Sequence, residues 1–514
     1  MDLSTIDIIA FIAFLVVVIA VSLYASRKEE NEEDYFLAGR KLTWWLIGMS
    51  LIASNISSEH FVGMSGKGFT LGLAIASYEW MAAITLVLVG IFLLPRFLRA
   101  GIYTIPQYLE YRYNETARLT MAIFMLIFYI AVTLATVLYS GALALQLIFD
   151  INLYTGIWAL GILAGGYTVY GGLKAVVWSD LIQGGALLIG GVIVMFICFD
   201  EIGGYDKFVE LSGDKLHTVL PWDHPEMPWV AVFIGGLWLP NIFYWGLNQF
   251  ITQRTLGAKD LEEGQKGILF GATLKLIIPF IIVFPGIIAF ELYGDVIAKG
   301  DNAYPYLIKN LLPQGLKGFM FAALFGAVMS TLDSLLNSAS TIFTIDIYKP
   351  YFKKDATSKE LVRMGRLVTF ALVIFGCLWA PVVGQFDSLY DYIQKFWGLV
   401  QPGIVAAFAF GILWKKVPAN AAIGAMWLNI PVYGACLIYD HFQPEGEKIA
   451  FLHYMAISFI ILSLFMLVYT KLYPSTKVVV MPINPTIPLT ASPLVKVWSA
   501  VVVLLTVALY IWYW

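Results

Sequence analysis

A run of polar residues interrupts an apolar segment near the start of the chain, and no other feature constrains the fold as strongly. The run covers residues 53–60 and carries six polar side chains in eight positions. A helix that faces lipid cannot carry them, because an intramembrane charge costs several kcal/mol unless it faces protein or water. Broken backbone at membrane depth is tolerated only in the same surroundings. The run therefore predicts a discontinuous helix that lines a solute pathway inside a membrane protein.

The composition supports a membrane protein. Of the 514 residues, 60% are hydrophobic and 13% are charged, whereas about 25% are charged in a typical soluble domain. The net charge of −3 gives no information about a partner, because here the position of the charges matters more than their sum. Cys198, Cys377 and Cys436 lie far apart in apolar segments and have neither metal-binding nor disulfide spacing. The N-terminus lacks the basic stretch of a cleavable signal, so we expect the first apolar segment to be retained as a helix.

Apolar windows of about twenty residues, the length that crosses a bilayer, predict about fourteen membrane spans. The predicted spans are 6–25, 42–66, 72–95, 119–148, 152–170, 175–198, 229–252, 267–291, 318–345, 367–384, 390–413, 417–438, 450–470 and 497–513.

The distribution of basic residues predicts the orientation. With the N-terminus outside, the inside connections hold 23 of the 32 Lys and Arg residues and the outside connections hold 7. The other two, Lys275 and Lys395, lie within spans. Cytoplasmic loops carry an excess of Lys and Arg, so both termini are expected outside the membrane.

The span 229–252 has one polar face. Its polar positions are Asn241, Tyr244, Trp245, Asn248, Gln249 and Thr252. Their spacing of three and four residues places them on one side of a helix. Pro240 precedes them and makes a kink or break plausible there. The stripe is consistent with a solute pathway, and also with polar side chains that hold helices together.

The span 318–345 carries a row of small hydroxyl residues that includes Ser330 and Thr331. Such residues are common where helices cross closely. They are also suitable sodium ligands, because hard cations bind oxygen donors. Hydroxyls and the free carbonyls of an unwound helix supply those oxygens without a full negative charge. Both interpretations remain open from this span alone.

Charged residues also lie inside predicted spans. Glu79 and Lys275 each need a partner, either one another in a structural ion pair or a bound substrate. His60, Gln394 and Gln401 add further donors and acceptors. Neutral hydrogen-bonding groups together with Tyr and Trp predict a pocket for a neutral polyhydroxylated solute, since a sugar ring offers hydroxyls and a flat apolar face.

Eight motifs occur in a characteristic order. They are DYFLAGR at 34–40, SLIASNISSEHFVGMSG at 50–66, GLAIASYEWM at 72–81, GIYTIPQYLEYR at 101–112, YGGLKAVVWSD at 170–180, YWGLNQFITQRTLGAK at 244–259, STLDSLLNSASTIFTIDIYK at 330–349 and YIQ at 392–394. Together they resemble the solute:sodium symporter family, and within it the sodium/sugar cotransporters of the bacterial sodium/galactose and animal sodium/glucose types. The resemblance extends from residue 31 to about residue 416.

The resemblance implies an all-α integral membrane protein with a LeuT-like fold. That fold has about 14 transmembrane helices and two inverted five-helix repeats, each opened by a discontinuous helix. The implied parts are an extra N-terminal helix with its cytoplasmic connection at 1–41, the first repeat at 42–198, an outside loop at 199–228, the second repeat at 229–413 and C-terminal helices at 414–514.

The resemblance also implies site residues. The implied sugar contacts are Asn55, His60, Glu79, Asn241, Tyr244, Trp245, Lys275 and Gln394. Met64 and Tyr78 match the outer gate, and Tyr244 matches the residue that closes the sugar from the inside. The sodium site matches the carbonyls of Ala53, Ile56 and Ala327 and the hydroxyls of Ser330 and Thr331. Asp180 matches an acid on the sodium path to the cytoplasm.

Three positions depart from the bacterial galactose type. His60 replaces a Gln, as in animal glucose cotransporters, Ala82 replaces a Ser near the sugar, and Asp333 is more like inositol-type relatives. The resemblance thus implies a symporter that couples inward sodium movement to uptake of a neutral hexose by alternating access. Myo-inositol or another polyol is the alternative solute.

Other classes of function are disfavoured by the residues. An enzyme would need a nucleophile–base pair or a metal cluster, and neither pattern is present in the sequence. A passive channel is a weaker alternative to symport. The expected partners are a sodium ion, a small neutral sugar and the lipid bilayer, without nucleic acid. The expected location is the plasma membrane, or the inner membrane of a bacterium.

Overall fold

Apolar helices form nearly all of the regular structure, because a helix satisfies its backbone hydrogen bonds internally in a lipid environment. The computed structural model describes residues 4–27, 31–57, 60–149, 151–385, 389–444, 448–476 and 481–514. Within these ranges the extended pairings are two isolated bridges, Leu42 with Ala258 and Leu220 with Pro228. The predicted all-α class is therefore confirmed.

Sixteen helices make up most of the bundle. They are α1 (Thr5–Ala25), α2 (Trp44–Asn55), α3 (Ser65–Leu71), α4 (Leu73–Ala100), α5 (Glu115–Gln146), α6 (Leu153–Ile202), α7 (Trp229–Leu247), α8 (Gln249–Leu256), α9 (Leu261–Tyr293), α10 (Leu316–Phe352), α11 (Ser358–Val383), α12 (Leu389–Gly398), α13 (Gln401–Leu413), α14 (Ala419–His441), α15 (Phe451–Leu472) and α16 (Pro493–Trp512). Shorter helices are Glu32–Leu37, Ile105–Arg112, Tyr205–Ser212 and Ala303–Leu311.

The number of continuous spanning helices is smaller than the predicted fourteen. Among the described residues, eleven helices are long and apolar enough to cross a membrane, or twelve if α12 and α13 form one bent span. The predicted spans 152–170 and 175–198 lie in the single element α6, which has 50 residues. A helix of that length would measure about 75 Å, more than twice the roughly 30 Å of bilayer hydrocarbon.

Gly172 interrupts α6 near the junction of those two predicted spans. Its backbone has φ 49° and ψ −152°, a conformation that side chains oppose. A Cβ atom at this position would lie 2.3 Å from the carbonyl oxygen of Tyr35. The close approach of Tyr35 and the unusual dihedral angles both require glycine here.

The predicted break in the first polar segment is present. Helix α2 ends at Asn55, and Ile56 has extended dihedral angles. The chain resumes as a π-helical turn, His60–Met64, followed by α3. Ser58 and Glu59 of the polar run lie outside the described residues.

The sequence made an interruption of the segment 229–252 plausible at Pro240, but the structure places it elsewhere. Pro240 lies in the short turn Trp238–Ile242, close to the start of helical winding, where its missing N–H costs little. Irregular backbone precedes that turn at Gly235 and Gly236. A second break follows at Asn248, whose dihedral angles are extended. The predicted polar stripe is therefore divided between α7 and α8.

Helix α9 packs against α2, α3 and α4, and α6 packs against α1, α2 and α10. Small residues permit these approaches, as where a Cβ on Gly184 would lie 2.7 Å from that of Ala53. Large apolar side chains on α1, such as Ile9 and Val16, are about 60% exposed. This exposure is expected of a helix that faces lipid, whose core is as apolar as the side chains. The broken segments consequently lie inside the bundle and α1 lies at its edge.

Three arginines that the sequence assigned to connections are buried instead. Arg112, Arg118 and Arg254 expose 5%, 8% and 0% of their surface. Arg112 donates to the carbonyl oxygens of Gly411 and Trp414, at the end of α13. Free carbonyls at helix ends accept such donors. These three residues therefore serve as internal connectors rather than as charges at the membrane surface.

We expect Gly172→Ala to destabilise the protein, because a methyl group would clash with Tyr35 in a backbone conformation that costs about 1–3 kcal/mol for a non-glycine residue. Thermal unfolding of the purified protein measures the effect. Gly166→Ala is the matched control in the same helix, since a Cβ there meets nothing within 4 Å. Equal melting temperatures for the two variants would contradict the role of Gly172.

Candidate functional site

A polar cavity lies where the breaks in α2 and α7 meet. Its lining comes mainly from the segment after α2 and from α4, α5, α7, α12 and α13. Seven of the eight predicted sugar contacts line it, namely Asn55, His60, Glu79, Asn241, Tyr244, Trp245 and Gln394. Both predicted outer-gate residues, Met64 and Tyr78, line it as well. The structure thus brings together residues that lie up to about 340 positions apart in the sequence.

Lys275, the eighth predicted contact, lies behind this lining and is fully buried. Its ammonium group donates hydrogen bonds to the Glu79 carboxylate and to the Asn55 amide oxygen. Its Nζ lies 5.0 Å from the centre of the Trp245 ring, within range of a cation–π contact. Lys275 and Glu79 are therefore partners in this conformation, one of the two arrangements that the sequence left open.

His60 extends the charged cluster. Its Nε2 atom lies 3.6 Å from Oε1 of Glu79, and its Nδ1 atom accepts from the backbone N–H of Ser57 at 3.5 Å. The imidazole therefore lies between the broken backbone after α2 and the carboxylate on α4. Glu79 is contacted from two sides, by a lysine and by a histidine.

Tyr244 forms part of the cavity wall on α7. Its hydroxyl accepts a hydrogen bond of 3.0 Å from the Asn55 amide. Its ring lies edge-on to Trp245 and Phe250, at centroid distances of 5.1 and 5.5 Å. The neighbouring Asn241 donates to the carbonyl oxygen of Leu237 at 3.1 Å. An aromatic face and two amides are thus held next to the charged cluster.

The predicted sodium ligands lie around the end of α2 and on α10, two segments that are in contact. The hydroxyl of Thr331 lies 3.3 Å from the carbonyl oxygen of Ser54 and 3.1 Å from that of Ala327. The Ser57 N–H beyond the end of α2 donates to Nδ1 of His60. All five predicted residues, Ala53, Ile56, Ala327, Ser330 and Thr331, are at most 5% exposed. This oxygen-rich set fits a hard cation.

Asp180 on α6 adjoins this set. Its carboxylate accepts hydrogen bonds from Ser330 at 2.5 Å, Ser50 at 2.5 Å and Ser54 at 3.1 Å. Arg254 on α8 donates to the Ser50 carbonyl oxygen and to the Ser334 hydroxyl, both at 3.0 Å. The network joins four helices around the carboxylate.

Asp333, which departs from the family pattern, turns away from the predicted sodium ligands. Its carboxylate accepts from the hydroxyl of Tyr167 and, at 3.0 Å, from that of Thr168. Both partners lie on α6. Asp333 therefore joins α10 to α6 in this structure.

Sequence reasoning missed several residues near the cavity. Thr133 and Trp397 line it, and the Trp397 indole donates to the Thr133 hydroxyl at 3.0 Å. Thr133 lies in an apolar stretch that gave no signal, whereas Trp397 lies three residues after Gln394 and four before Gln401, a helical spacing that could have indicated it. Arg254 was missed because a basic residue near the end of an apolar segment reads as a loop residue. Conversely, Gln249 in the predicted stripe contacts Tyr103 and Ile105 instead of the cavity.

Broken helices around a cavity with polar groups are typical of membrane transporters built as helical bundles. Two solved structures share this fold. A substrate-bound, outward-open Na⁺-coupled sialic acid symporter has a TM-score of 0.83 and 24% identity, covering 93% of this chain and 100% of its own. A nucleobase-cation-symport-1 family transporter, closed with bromovinylhydantoin bound, has a TM-score of 0.53 and 16% identity, covering 90% and 97%.

Sequence comparisons identify the family. Residues 35–429 match the sodium:solute symporter family. A sodium/glucose cotransporter of Vibrio parahaemolyticus is 45% identical over 459 residues, 84% of each chain. The sodium/myo-inositol cotransporter 2 of Sus scrofa is 33% identical over 478 residues, 85% of this chain and 71% of its own. The uncharacterized symporter YidK of Escherichia coli (strain K12) is 38% identical over 450 residues, 84% and 78%.

This chain belongs to the sodium:solute symporter family. It is a membrane-integral, sodium-coupled transporter of a small solute, as its sequence motifs predicted.

We expect Lys275→Met to lower stability by about 3–5 kcal/mol, because it leaves the buried Glu79 carboxylate without its cation. The double variant Lys275→Met/Glu79→Gln should recover much of that loss, since no charge remains uncompensated. Thermal unfolding of the purified single and double variants measures both effects. A double variant less stable than Lys275→Met would show that the ion pair does not account for the loss.

Proposed function

We propose that this transporter takes up a neutral hexose of the glucose/galactose class together with sodium, by alternating access. One observation carries the proposal. One cavity is lined by neutral amides, an aromatic face and Glu79, whose charge is already paired with that of Lys275 behind the lining. Such a site offers donors and acceptors to hydroxyls without an unpaired charge that would select an ionised solute.

The sugar would occupy the cavity between the charged cluster and α7. Glu79, Lys275 and Asn55 would exchange part of their mutual hydrogen bonding for the sugar hydroxyls, with His60, Asn241 and Gln394 as further contacts. Tyr244 would stack against the ring, with Trp245 beside it. This arrangement is supported by the neighbouring positions of these residues at the cavity, and Met64 and Tyr78 would close its outer side.

Sodium would bind between the carbonyls of Ala53, Ile56 and Ala327 and the hydroxyls of Ser330 and Thr331. The support is the contact of Thr331 with carbonyls of both α2 and α10. A cation shared by these helices would hold the broken helix in place and favour the open sugar pocket. Asp180, bonded to Ser330, would receive the ion on its way to the cytoplasm.

The transport cycle would follow the family's architecture. We propose two inverted repeats at 42–198 and 229–413, with an extra helix before them and further helices after them. Both termini would lie outside the plasma membrane, as the distribution of basic residues predicts. The two broken segments, one at the start of each repeat, are the elements whose movement would open the cavity to either side.

The driving force is sufficient for uphill transport. Moving one positive charge through 100 mV yields about 2.3 kcal/mol. A tenfold sodium gradient adds about 1.4 kcal/mol. With one sodium per sugar, the sum supports roughly 500-fold accumulation at most, by the same relation between energy and equilibrium constant.

Myo-inositol or another polyol is a second candidate solute. The similarity to the Sus scrofa sodium/myo-inositol cotransporter 2 supports it, and Asp333 occupies a position where inositol-type relatives have an acid. A polyol ring also presents hydroxyls and an apolar face. Competition between labelled sugars and inositol separates the two candidates.

Uptake by the purified protein in liposomes tests the function. We expect an inward sodium gradient to accumulate a labelled hexose above its external concentration, whereas potassium or choline should not. The panel includes glucose, galactose, myo-inositol, proline and sialic acid. Equilibration that needs no sodium would indicate a passive channel and overturn symport, and accumulation of inositol alone would select the second candidate.

We expect Thr331→Ala to raise the half-saturating sodium concentration of uptake about tenfold, because it removes one ligand oxygen worth about 1.4 kcal/mol. Sodium activation curves measure the change. Thr369→Ala is the matched control, since Thr369 is also buried and its hydroxyl donates to the Gly365 carbonyl of its own helix. Unchanged sodium activation in Thr331→Ala would place the ion elsewhere.

A further inference from the structure

The cavity has a second polar wall that the proposed sugar contacts do not explain. This wall is formed at the bend between α12 and α13, whose axes differ by 43°. Helix α12 ends at Gly398 and α13 begins at Gln401. Trp397 and Gln401, on either side of the bend, both line the cavity. Trp397 is anchored by its hydrogen bond to Thr133.

Gln401 differs from the other buried residues of the cavity. It is 4% exposed, and its Oε1 atom has no hydrogen-bond partner within the part of the chain that the structure describes. By contrast, the buried cavity residues Glu79 and Asn248 both have partners, Glu79 through Lys275 and Asn248 through the hydroxyl of Tyr129. A buried amide oxygen without a partner is unfavourable. The cavity next to Gln401 is where a partner can enter.

Asn429 on α14 provides an internal comparison. It is fully buried, and its Oδ1 atom also lacks a partner among the described residues. Its amide donates to the carbonyl oxygen of Gly398 at 3.0 Å, so Asn429 supports the bend from behind. The residues that line the cavity do not include Asn429. An unpartnered amide oxygen therefore occurs at both residues beside the bend, and of these two residues Gln401 is the one that lines the cavity.

We propose that Gln401 is a specificity-determining residue that forms a hydrogen bond with one hydroxyl group of the transported solute. The proposal rests on the transport function proposed above and deepens it. The chemistry requires a neutral polyhydroxylated solute, because the amide offers both an acceptor and a donor but no charge. A bound hydroxyl would satisfy the oxygen that the protein leaves unpaired. An analogue that lacks this hydroxyl would leave it unpaired and would be rejected.

A deoxy series tests this hydrogen bond. The best transported sugar of the uptake panel is compared with its singly deoxygenated analogues, in wild-type protein and in Gln401→Leu. In the wild type, removal of one particular hydroxyl should raise KM about tenfold through Gln401. In Gln401→Leu the KM of the parent sugar should rise by about the same factor. The ratio of the KM of that deoxy analogue to the KM of the parent sugar should then fall to about one. Ratios at the other positions should stay unchanged.

Two further variants separate contact from structure. Gln401→Glu keeps an acceptor oxygen and should keep the discrimination, whereas Asn429→Leu should alter stability and leave every deoxy ratio as in wild type. Each ratio is taken within one variant, so a lower yield of folded protein cancels. If Gln401→Leu does not transport, sugar-dependent thermal stabilisation of the purified variant gives the same ratios.

Unchanged deoxy ratios in Gln401→Leu would overturn the proposal. If Gln401→Leu does not fold, the result for Gln401→Glu decides. A folded Gln401→Glu protein that no longer discriminates the parent sugar from its deoxy analogue would also overturn the proposal. Failure of the proposed function is a separate result. In that case the wild-type protein itself shows no sodium-dependent uptake of any sugar or polyol.

Discussion

Backbone at membrane depth has no water to bond to, and the whole architecture depends on meeting that constraint. Two segments lose their helical winding, after Asn55 and at Asn248. Each loss frees carbonyl and amide groups that lipid cannot satisfy. The surrounding helices α6, α9 and α10 enclose the first break, and Tyr129 supports the second by bonding Asn248 and the backbone N–H of Phe250. The breaks are stable because they are walled by protein, and the freed groups remain available to a solute or an ion.

Charged side chains inside the enclosed bundle lie close to groups of opposite charge. Lys275 is fully buried and contacts Glu79, while Arg254 lies near Asp180 through their shared partner Ser50. Each of these two cations thus belongs to the same hydrogen-bonded cluster as a carboxylate, directly for Lys275 and through Ser50 for Arg254. The proposed sugar and sodium ion would bind beside cations that already have partners. A movement of α2 would alter both clusters at once, since Asn55 belongs to one and Ser50 and Ser54 to the other.

The two polar clusters are neighbours on one helix, which gives coupling between ion and solute a physical basis. Asn55 contacts Lys275 and Tyr244 on the side of the cavity. One residue earlier, the carbonyl oxygen of Ser54 meets the hydroxyl of Thr331. A sugar or a sodium ion bound at the proposed sites would hold the end of α2 in one position. Binding of either ligand would therefore favour the conformation that binds the other.

The sequence by itself determined that the chain crosses a membrane, that residues 53–60 interrupt a helix and that the motifs belong to a sodium-coupled family. The first two conclusions follow from local composition, because lipid excludes polar side chains and unsatisfied backbone wherever they occur, and the third follows from the resemblance of the motifs to that family. Only the tertiary structure decided that Lys275 pairs with Glu79, 196 positions away, that Arg254 is internal, that the second break lies at Asn248 and that Trp397 and Gln401 reach the cavity. Periodicity reports which side of a helix avoids lipid, but the partner on that side depends on how distant helices pack, and packing is a property of the whole bundle.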